Sequence, residues 1–444
     1  MNSLMKVARV SRKYIKPSSP TPAHLRTFKL SLLDQLAPSV YNPMVFFYPM
    51  EGTHDPQSKA AARCRHLQRS LSPFLTRFYP FAGRIKDHVS IGCNDDGVDF
   101  VEAKVNARME DVLRQPHPHA LKQFLPIDIE AKDMKLGSNH LVHVQTNTFE
   151  CGGMVLGVCW SHKITDGGTV STFMKGWSSM ASGLVNEVIP EYVASSLFPP
   201  TDSSIMQHAL TLETDRTTTR RFMFGGLKIM ELKARAASVE VPSPTRVEVV
   251  SSLLWKCATR ASRAISGLQP LSVMSQSMNI RKRTSPPLPD ATIGNLVGYY
   301  ISKTEANSEN ITLASLVAKQ RQGKTEVTNN YAKNLQGENG HLVIHELFKE
   351  AGSLLRREDV DFFKCLSTCG DGLYDADFGW GKPVWQSLVT LGYKNTFALS
   401  QNRDGSGIEA WVTLKQDVMA RFERDLELLA FASCNPSVVQ LQRS

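Results

Sequence analysis

An almost unbroken apolar run in the middle of the chain ends abruptly in polar residues. The segment from Gly153 to Trp177 reads GMVLGVCWSHKITDGGTVSTFMKGW. Its continuous apolar part, Val155 to Trp160, is typical of a central strand that is covered on both faces. The two glycines at 167–168 and the apolar residues after them predict a turn into an amphipathic helix. The pattern therefore places His162 at the tip of a buried strand.

A histidine at such a position is a candidate general base. Strand ends are where α/β proteins tend to place reactive groups, and histidine titrates near neutral pH, so it can accept and return a proton. The neighbouring Ser161 is not its nucleophile, because adjacent strand residues point to opposite faces. A structural histidine that is hydrogen-bonded at a strand end remains the alternative for His162.

The length of the chain predicts two domains. Its 444 residues exceed what one hydrophobic core usually serves. A polar stretch punctuated by Pro199 and Pro200 is the best candidate for a crossover between them. We predict an N-terminal domain at 1–196, a linker at 197–219 and a C-terminal domain at 220–444. The Asn-, Gln-, Gly- and Lys-rich stretch at 320–340 predicts a mobile surface loop.

The composition is that of a soluble globular protein, with 42% apolar and 21% charged residues. The formal charge of +9 is scattered and lacks the dense basic tracts of nucleic-acid binding, so we expect no nucleic-acid partner. Eight cysteines without a CxxC pair, and no long apolar span, predict a reduced, cytoplasmic protein without a membrane partner. His117 and His119 lie in a proline-broken loop without further ligands, so we expect no metal.

A second unusual segment, YDADFGWGKPVW, lies near the end of the chain at Tyr374 to Trp385. Glycines flank Trp380 and a proline follows Lys382, which predicts a tight, rigid loop. A strand is predicted to follow from Val384. On its own, the segment favours a structural turn around a buried tryptophan over a functional loop.

Together, HKITD at His162 to Asp166 and DFGWG at Asp377 to Gly381 resemble the signatures HxxxD and DFGWG of the BAHD family of plant acyl-CoA-dependent acyltransferases. Further blocks of the chain resemble the family in the same order. They are LSLLDQ, FYPFAGRI, CNDDGVDFVEA, FECGG, TRVEVVSSLLWKC, NIR at Asn279 to Arg281, GNLVG at Gly294 to Gly298, and GIEAWV. The sequences of these blocks are most similar to those of the branch of the family that acetylates alkaloid alcohols.

The resemblance implies two similar chloramphenicol acetyltransferase-like α/β domains, with mixed sheets and a solvent channel between them. Acyl-CoA, most simply acetyl-CoA, enters from one face as co-substrate and an alcohol acceptor enters from the other. His162 then removes the hydroxyl proton and returns it to the CoA sulfur, without an acyl-enzyme and without a permanently bound cofactor. We also expect a monomer.

The predicted catalytic residues are His162 and Asp377. In the family the second carboxylate lies away from the reaction centre, so Asp377 is expected to fix the loop that borders the CoA side. That loop includes Gly379, Trp380 and Gly381.

Three further residues are predicted to support the site. The resemblance implies that Asp166 turns away from the channel to pair with Arg281, so it is not the acid of a catalytic triad. We expect Arg283 to be the partner of Asp377.

One stretch departs from the family pattern. Relatives commonly carry Ser-x-Trp-Cys-Arg before DFGWG, whereas this chain has Thr368 in the place of the tryptophan and Gly370 in that of the arginine. The loss of an indole predicts a wider acceptor pocket at Thr368, suited to a bulky alkaloid or terpenoid alcohol. Three alternatives remain: a bulkier aromatic acyl-CoA, an amine acceptor, or a catalytically silent homologue that binds a ligand.

Overall fold

A computed structural model of the chain describes residues 5–50, 52, 54–129, 140–184, 188–201, 216–304, 311–331, 340–389 and 392–439. In chain order, the strands of these residues are β1 (Val7–Ile15), β2 (Thr27–Lys29), β3 (Tyr41–Tyr48), β4 (Arg84–Ile85), β5 (Ser90–Gly92), β6 (Val98–Val105), β7 (Val142–Phe149), β8 (Met154–Ser161), β9 (Thr217–Phe224), β10 (Leu271–Asn279), β11 (Val297–Lys303), β12 (Val360–Ser367), β13 (Trp385–Leu388), β14 (Thr396–Gln401), β15 (Ile408–Lys415) and β16 (Ser433–Cys434).

The helices of the described residues are interspersed among the strands. They are α1 (Leu32–Leu36), α2 (Pro56–Arg77), α3 (Met109–Arg114), α4 (Pro118–Gln123), α5 (Gly167–Ser182), α6 (Ala194–Leu197), α7 (Gly226–Ala236), α8 (Arg246–Ser266), α9 (Leu313–Glu326), α10 (Gly340–Leu355), α11 (Gln416–Phe422) and α12 (Leu426–Phe431). Short 3-10 turns occur at Ala23–Leu25, Tyr79–Ala82, Arg281–Arg283 and Leu373–Asp375, and a π-helical turn at Val327–Tyr331.

Two large mixed sheets organise the described part of the chain. The first has the order β1-β6-β7-β8-β3-β13, with a parallel β6/β7 pair and antiparallel pairs elsewhere. The second has the order β11-β10-β12-β14-β15-β9-β16, with parallel pairs on both sides of β12. A small sheet, β2-β5-β4, accompanies the first. This is the mixed α/β architecture that the sequence analysis expected.

Strand β8 ends at Ser161, where the sequence pattern predicted, and His162 follows directly. Every residue from Met154 to Ser161 is buried, because β8 lies between β7 and β3 in the first sheet. Helix α5 begins at Gly167 and packs with α2 on one face of this sheet, in a core that includes Phe74, Phe173 and Trp177. The strand tip is therefore held by a paired strand on each side and by helices on one face.

Strand β13 crosses the predicted domain division. It comes from the C-terminal part of the chain, yet Trp385 pairs with Phe47 and Leu388 with Met44 in the first sheet. The division predicted at 197–219 does not account for this pairing of β13 with β3. Residues 202–215 of the predicted linker lie outside the described residues. The C-terminal part is thus anchored in the first sheet by backbone hydrogen bonds.

The surface loop predicted from 320 to 340 is wrong for its first half. Helix α9 runs to Glu326 and a π-helical turn continues to Tyr331, while 332–339 lie outside the described residues. Gln320 is fully buried, and its amide is satisfied by the hydroxyls of Ser251 and Ser252. A polar composition was misleading here because internal hydrogen bonds replace those to water.

A buried ion pair joins the two sheets. Arg221 on β9 donates to Glu409 on β15 at 2.6 Å, and both side chains are buried. Glu409 also accepts from the indole nitrogens of Trp411 in the second sheet and Trp385 in the first, each at 3.1 Å. The guanidinium of Arg221 lies 5.3 Å from the ring centre of Trp385. The carboxylate of Glu409 therefore bonds residues of both sheets.

We expect Glu409→Ala to destabilise the fold strongly. Removing one partner of a buried ion pair leaves an uncompensated charge, which typically costs about 3 to 5 kcal/mol. Chemical and thermal unfolding would measure the loss. The matched control is Glu231→Ala, which removes a carboxylate that pairs with Arg235 on an exposed helix face and should leave the melting temperature nearly unchanged. Equal melting temperatures in the two variants would contradict the role given to Glu409.

Candidate active site

His162 lies at the meeting point of three chain segments. Its backbone N–H donates to Val40 at 2.8 Å, which ties it to the start of β3. Its ring nitrogen Nδ1 lies 2.9 Å from Oδ1 of Asn295, a residue just before β11. Burial lowers the pKa of His162, although its hydrogen bonds oppose this effect. The imidazole is therefore neutral at neutral pH, which is the form that can accept a proton.

Asn295 is itself held by a buried carboxylate, Asp34 on α1. Asp34 Oδ1 accepts from the backbone N–H of Asn295 at 2.7 Å and from its side-chain amide at 3.0 Å. The same amide donates to the carbonyl of His162 at 2.7 Å. The sequence analysis assigned no role to either residue. The signal was present, because both lie in blocks that resemble the family, LSLLDQ and GNLVG, but nothing local joins them to the histidine.

The side chain of Lys163 also connects the tip of β8 to helix α1. Its ammonium group donates to the carbonyls of Gln35 at 3.0 Å and Ala37 at 2.6 Å, at the end of α1. Burial lowers the pKa of Lys163. The lysine side chain is thus committed to α1.

The structure brings Asp166 and Arg281 together in a bidentate ion pair. The two guanidinium nitrogens donate to the two carboxylate oxygens at 2.7 and 2.9 Å. Both residues are fully or almost fully buried. Asp166 also caps α5 by accepting from Thr169 N–H at 2.7 Å, and it accepts from Leu296 N–H at 3.0 Å. Burial raises the pKa of Asp166, but Arg281 and Thr169 hold it below its usual value.

Gly168 leaves the space that this ion pair needs. A Cβ atom at residue 168 would lie 2.5 Å from Nη1 and 2.9 Å from Cζ of Arg281. The guanidinium also donates to the carbonyls of Thr292 and Gly294, so it cannot move aside without losing these bonds. The second glycine after the HxxxD segment is therefore required by a close approach.

Asp377 folds its own loop. Its Oδ1 accepts from the backbone N–H groups of Gly379, Trp380 and Gly381 at 2.8, 3.1 and 2.9 Å. Both glycines have positive φ, +97° and +100°, a conformation in which other residues are strained. The structure does not bring Arg283 to Asp377. Arg283 donates to the backbone carbonyl of its near neighbour Asn279, and the loop's own amides take the expected place of the arginine.

The DFGWG loop packs onto the first sheet and its helices. Phe378 is fully buried, with its ring 5.0 Å from that of Trp177. The ring of Trp380 lies 5.8 Å from Phe378 and 5.2 Å from the guanidinium of Arg63 on α2. The loop and the strand β13 that follows it therefore both attach the C-terminal part of the chain to the first sheet.

Thr368 lies beside the beginning of α5. Its methyl carbon would be 3.9 Å from a Cβ atom on Gly167. Its backbone N–H donates to Leu399 at 2.9 Å, and its hydroxyl lies 3.4 Å from the same carbonyl. Asp371 follows on the same loop, and burial raises its pKa to about 6. Sequence reasoning did not single out this carboxylate.

Two classes of site are not found among the residues that the structure describes. The described residues contain no group of three or more His, Cys, Asp or Glu side chains that could hold a metal ion. No helix in the same ranges is long and apolar enough to cross a membrane.

Comparison with known proteins gives consistent matches over the whole length. A family model described as the Transferase family matches residues 5–429. Epi-neemfruitin B 7-O-acetyltransferase of Melia azedarach is 37% identical over 96% of this chain and 98% of that protein. A 17,18-epoxy-17-hydroxycur-19-ene N-malonyltransferase of Strychnos nux-vomica is 36% identical over 96% of this chain and 90% of that protein.

Among solved structures, vinorine synthase superimposes with a TM-score of 0.83 at 33% identity, covering 98% of this chain and 100% of its own. This match confirms the mixed α/β fold with two sheet-rich domains. The chain therefore belongs to the BAHD family of acyl-CoA-dependent O-acyltransferases.

We expect Gly168→Ala to weaken the Asp166–Arg281 pair. The added methyl group overpacks a rigid, buried contact, which typically costs about 1 to 3 kcal/mol. Unfolding measurements would give this loss. Gly92→Ala in strand β5 is the matched control, because a Cβ atom there would meet no atom closer than 3.9 Å. Equal stability of the two variants would contradict the close approach at Gly168.

Proposed function

We propose that the protein transfers an acetyl group from acetyl-CoA to a hydroxyl group of a bulky alkaloid or terpenoid alcohol. The observation that carries the proposal is the position of His162 at the tip of β8, where its backbone N–H donates to Val40 and its ring nitrogen Nδ1 lies 2.9 Å from Oδ1 of Asn295. The choice of acetyl and of a hydroxyl acceptor is supported by full-length similarity to an O-acetyltransferase.

His162 acts as the general base in this mechanism. Its free ring nitrogen takes the hydroxyl proton as the acceptor oxygen forms a bond to the thioester carbonyl carbon. The carbon–sulfur bond then breaks, and the same nitrogen returns the proton to the departing CoA sulfur. The products are an ester and free CoA, so the histidine ends the cycle in its starting form.

No acyl-enzyme is needed for this reaction. Holding both substrates in one channel between the domains supplies the proximity that a covalent intermediate would otherwise provide. In the proposal, Asp166 and Arg281 fix the strand tip and α5, while Asp377 fixes the loop of Gly379, Trp380 and Gly381 on the CoA side. We expect a cytoplasmic monomer, which stays a prediction.

An amine acceptor with a different acyl group is the second candidate. It is favoured by the 36% identity with an N-malonyltransferase. Offering acetyl-CoA and malonyl-CoA in competition, with alcohols and with secondary amines, separates the two candidates by the mass of the product. Exclusive malonylation of an amine would overturn the main proposal.

We expect His162→Ala to lower kcat by about 10²-fold or more, as is typical of a lost general base, while CoA binding and the melting temperature persist. The assay is thiol release from acetyl-CoA with a panel of alkaloid and terpenoid alcohols. His119→Ala, at an exposed histidine, should keep full activity. Near-normal turnover in His162→Ala would refute the mechanism, and no thiol release from the parent with any acceptor would favour a silent homologue.

We expect Thr368→Trp to narrow the acceptor side of the site. The backbone at Thr368 is fixed to Leu399, so an indole there would occupy the space beside α5. Turnover of the largest accepted alcohols should fall relative to small ones, with the KM for acetyl-CoA little changed. The measurement is kcat/KM over a graded series of alcohols. Leu268→Trp, at an exposed position, is the control, and an identical size profile in both variants would contradict the pocket assignment.

A further inference from the structure

We propose that Asp371 is a specificity-determining residue, whose carboxylate binds a protonated amine of the acceptor alcohol beside His162. The inference rests on the proposed function and narrows its acceptor to an alcohol that carries a basic nitrogen. It follows from where the carboxylate lies, from how its loop is fixed, and from the absence of a partner for its charge among the described residues.

The carboxylate of Asp371 lies against the first residue of α5. A Cβ atom on Gly167 would be 2.9 Å from Oδ2 of Asp371 and 3.9 Å from the methyl carbon of Thr368. These two residues of the loop before DFGWG therefore border the same side of the helix start. Since glycine at 167 has no side chain, the carboxylate can approach the helix closely.

The start of α5 is close to His162. The turn that joins β8 to α5 is compact, because the hydroxyl of Thr165 donates back to the carbonyl of Ser161 at 2.8 Å and the N–H of Ile164 donates to the same carbonyl at 3.3 Å. Ser161 directly precedes the histidine. A carboxylate that contacts Gly167 is thus placed beside the strand tip at which the acceptor would react.

The residues around the start of α5 are accessible, although they come from both halves of the chain. Asn279, whose side-chain nitrogen would lie 3.2 Å from a Cβ atom on Gly168, is exposed. Gly167, Gly168, Thr368 and Asp371 are partly exposed. Together these five residues border an opening that a solute can enter.

The loop that carries Asp371 is fixed by hydrogen bonds of its backbone. The carbonyl of Asp371 accepts from the hydroxyl of Ser171 on α5, and its N–H donates to the carbonyl of Thr368 at 3.2 Å. The N–H of Gly370 donates to Oε1 of Gln401 at 3.1 Å. The backbone therefore holds the carboxylate in place without a hydrogen bond to the carboxylate itself.

The charge of Asp371 has no ion-pair or hydrogen-bond partner within the described part of the chain. Burial and the charge of Asp166 raise its pKa to about 6, against the opposing effect of Lys175 and Arg281. Arg281 is committed to its bidentate pair with Asp166. The carboxylate is thus largely removed from water and still uncompensated.

Four other carboxylates of the described residues are buried, and each pairs with an arginine. They are Asp99 with Arg12, Asp166 with Arg281, Glu248 with Arg321 and Glu409 with Arg221. Asp371 differs from all four, because its desolvated charge is left without such a partner. A group in this state, placed in an opening, is typical of a functional site.

A protonated tertiary amine supplies the missing partner. It carries one positive charge and one N–H group, so it can form a charge-assisted hydrogen bond with the carboxylate. The fixed loop means that little further ordering is needed on binding. A neutral alcohol would bury the charge further without pairing it, and the phosphate groups of CoA would be repelled by it.

The kinetic test compares each alkaloid alcohol that the protein acetylates with its N-oxide, which keeps the carbon skeleton but carries no net charge at neutral pH. Asp371→Asn should raise the KM of the amine by about 10-fold or more, because an amide binds a cation weakly. The KM of the N-oxide and that of acetyl-CoA should each change by less than about twofold. Equal changes for amine and N-oxide, a larger change for acetyl-CoA, or acetylation of neutral alcohols only would overturn the inference.

Asp375→Asn is the matched control, because this carboxylate lies four residues later, is exposed, and pairs with Lys382 at 2.8 Å. It should keep the parent's preference for the amine. Asp371→Asn should melt at or above the temperature of the parent, since it removes a desolvated charge. A lower melting temperature together with an equal loss of activity toward both acceptors would show a structural role and overturn the inference.

The preference for the amine should also depend on pH. The carboxyl group of Asp371 is ionised above about pH 6 and protonated below it, so the attraction for an ammonium group is lost as the pH falls. The ratio of kcat/KM for the amine to that for the N-oxide should therefore decrease from about pH 8 to about pH 5.5. Protonation of His162 affects both acceptors and cancels in the ratio. The same decrease in Asp371→Asn would contradict the assignment.

The other groups that face Asp371 do not explain such a change. They are the cations Lys175 and Arg281, the carboxylate of Asp166 and the thiol of Cys369. Arg281 holds the pKa of Asp166 below its usual value, and burial raises that of Cys369. Both shifts move these groups away from the range in which the preference should change.

A binding measurement distinguishes failure of this inference from failure of the proposed function. Calorimetry in the presence of CoA needs no acetyl transfer, and its probes are quinuclidinol and the analogue in which a CH group replaces the nitrogen. The parent should bind quinuclidinol more tightly by about 10-fold or more, and Asp371→Asn should bind the two equally. This result without acetyl transfer to any alcohol would refute the proposed function alone. Equal binding of the pair by the parent, or binding of neither, would overturn the inference.

Discussion

The ion pair between Asp166 and Arg281 is the contact on which the active-site geometry depends. Both side chains are buried, and two charges removed from water are tolerated only with good geometry and full hydrogen bonding. The carboxylate caps α5 while the guanidinium holds the carbonyls of Thr292 and Gly294. One contact therefore fixes the strand tip, the following helix and a loop from the other half of the chain. A carboxylate committed in this way serves structure and is not free for proton transfer.

The loop held by Arg281 also supplies Asn295, so the contact of Arg281 with Gly294 and the contact of Asn295 with His162 lie on the same loop. His162 contacts Asn295, Asn295 contacts Asp34, and these residues come from three distant parts of the sequence. Since the parts meet only when the two halves are closed on each other, the histidine is oriented only in the folded protein.

The DFGWG segment illustrates how a motif can be essential through architecture. Asp377 satisfies three amides of its own loop, Phe378 enters the core of the first sheet, and β13 extends that sheet directly afterwards. The loop just before it, with Thr368 and Asp371, differs from the family pattern and lies against the start of α5. The DFGWG segment, which anchors the C-terminal part of the chain, and the loop that departs from the family pattern are thus adjacent in the sequence but have different physical roles.

The sequence by itself determined the features that depend on local pattern. The apolar run predicted β8, paired glycines predicted the start of α5, and the two signatures identified the family, with His162 at a strand tip. Only the tertiary structure decided the contacts between distant segments: the Asp34–Asn295–His162 chain, the placement of β13 in the first sheet, and the burial of Gln320. Hydrophobic period and turn chemistry are written into neighbouring residues, whereas hydrogen-bond partners more than a hundred residues apart are chosen when the sheets and helices pack.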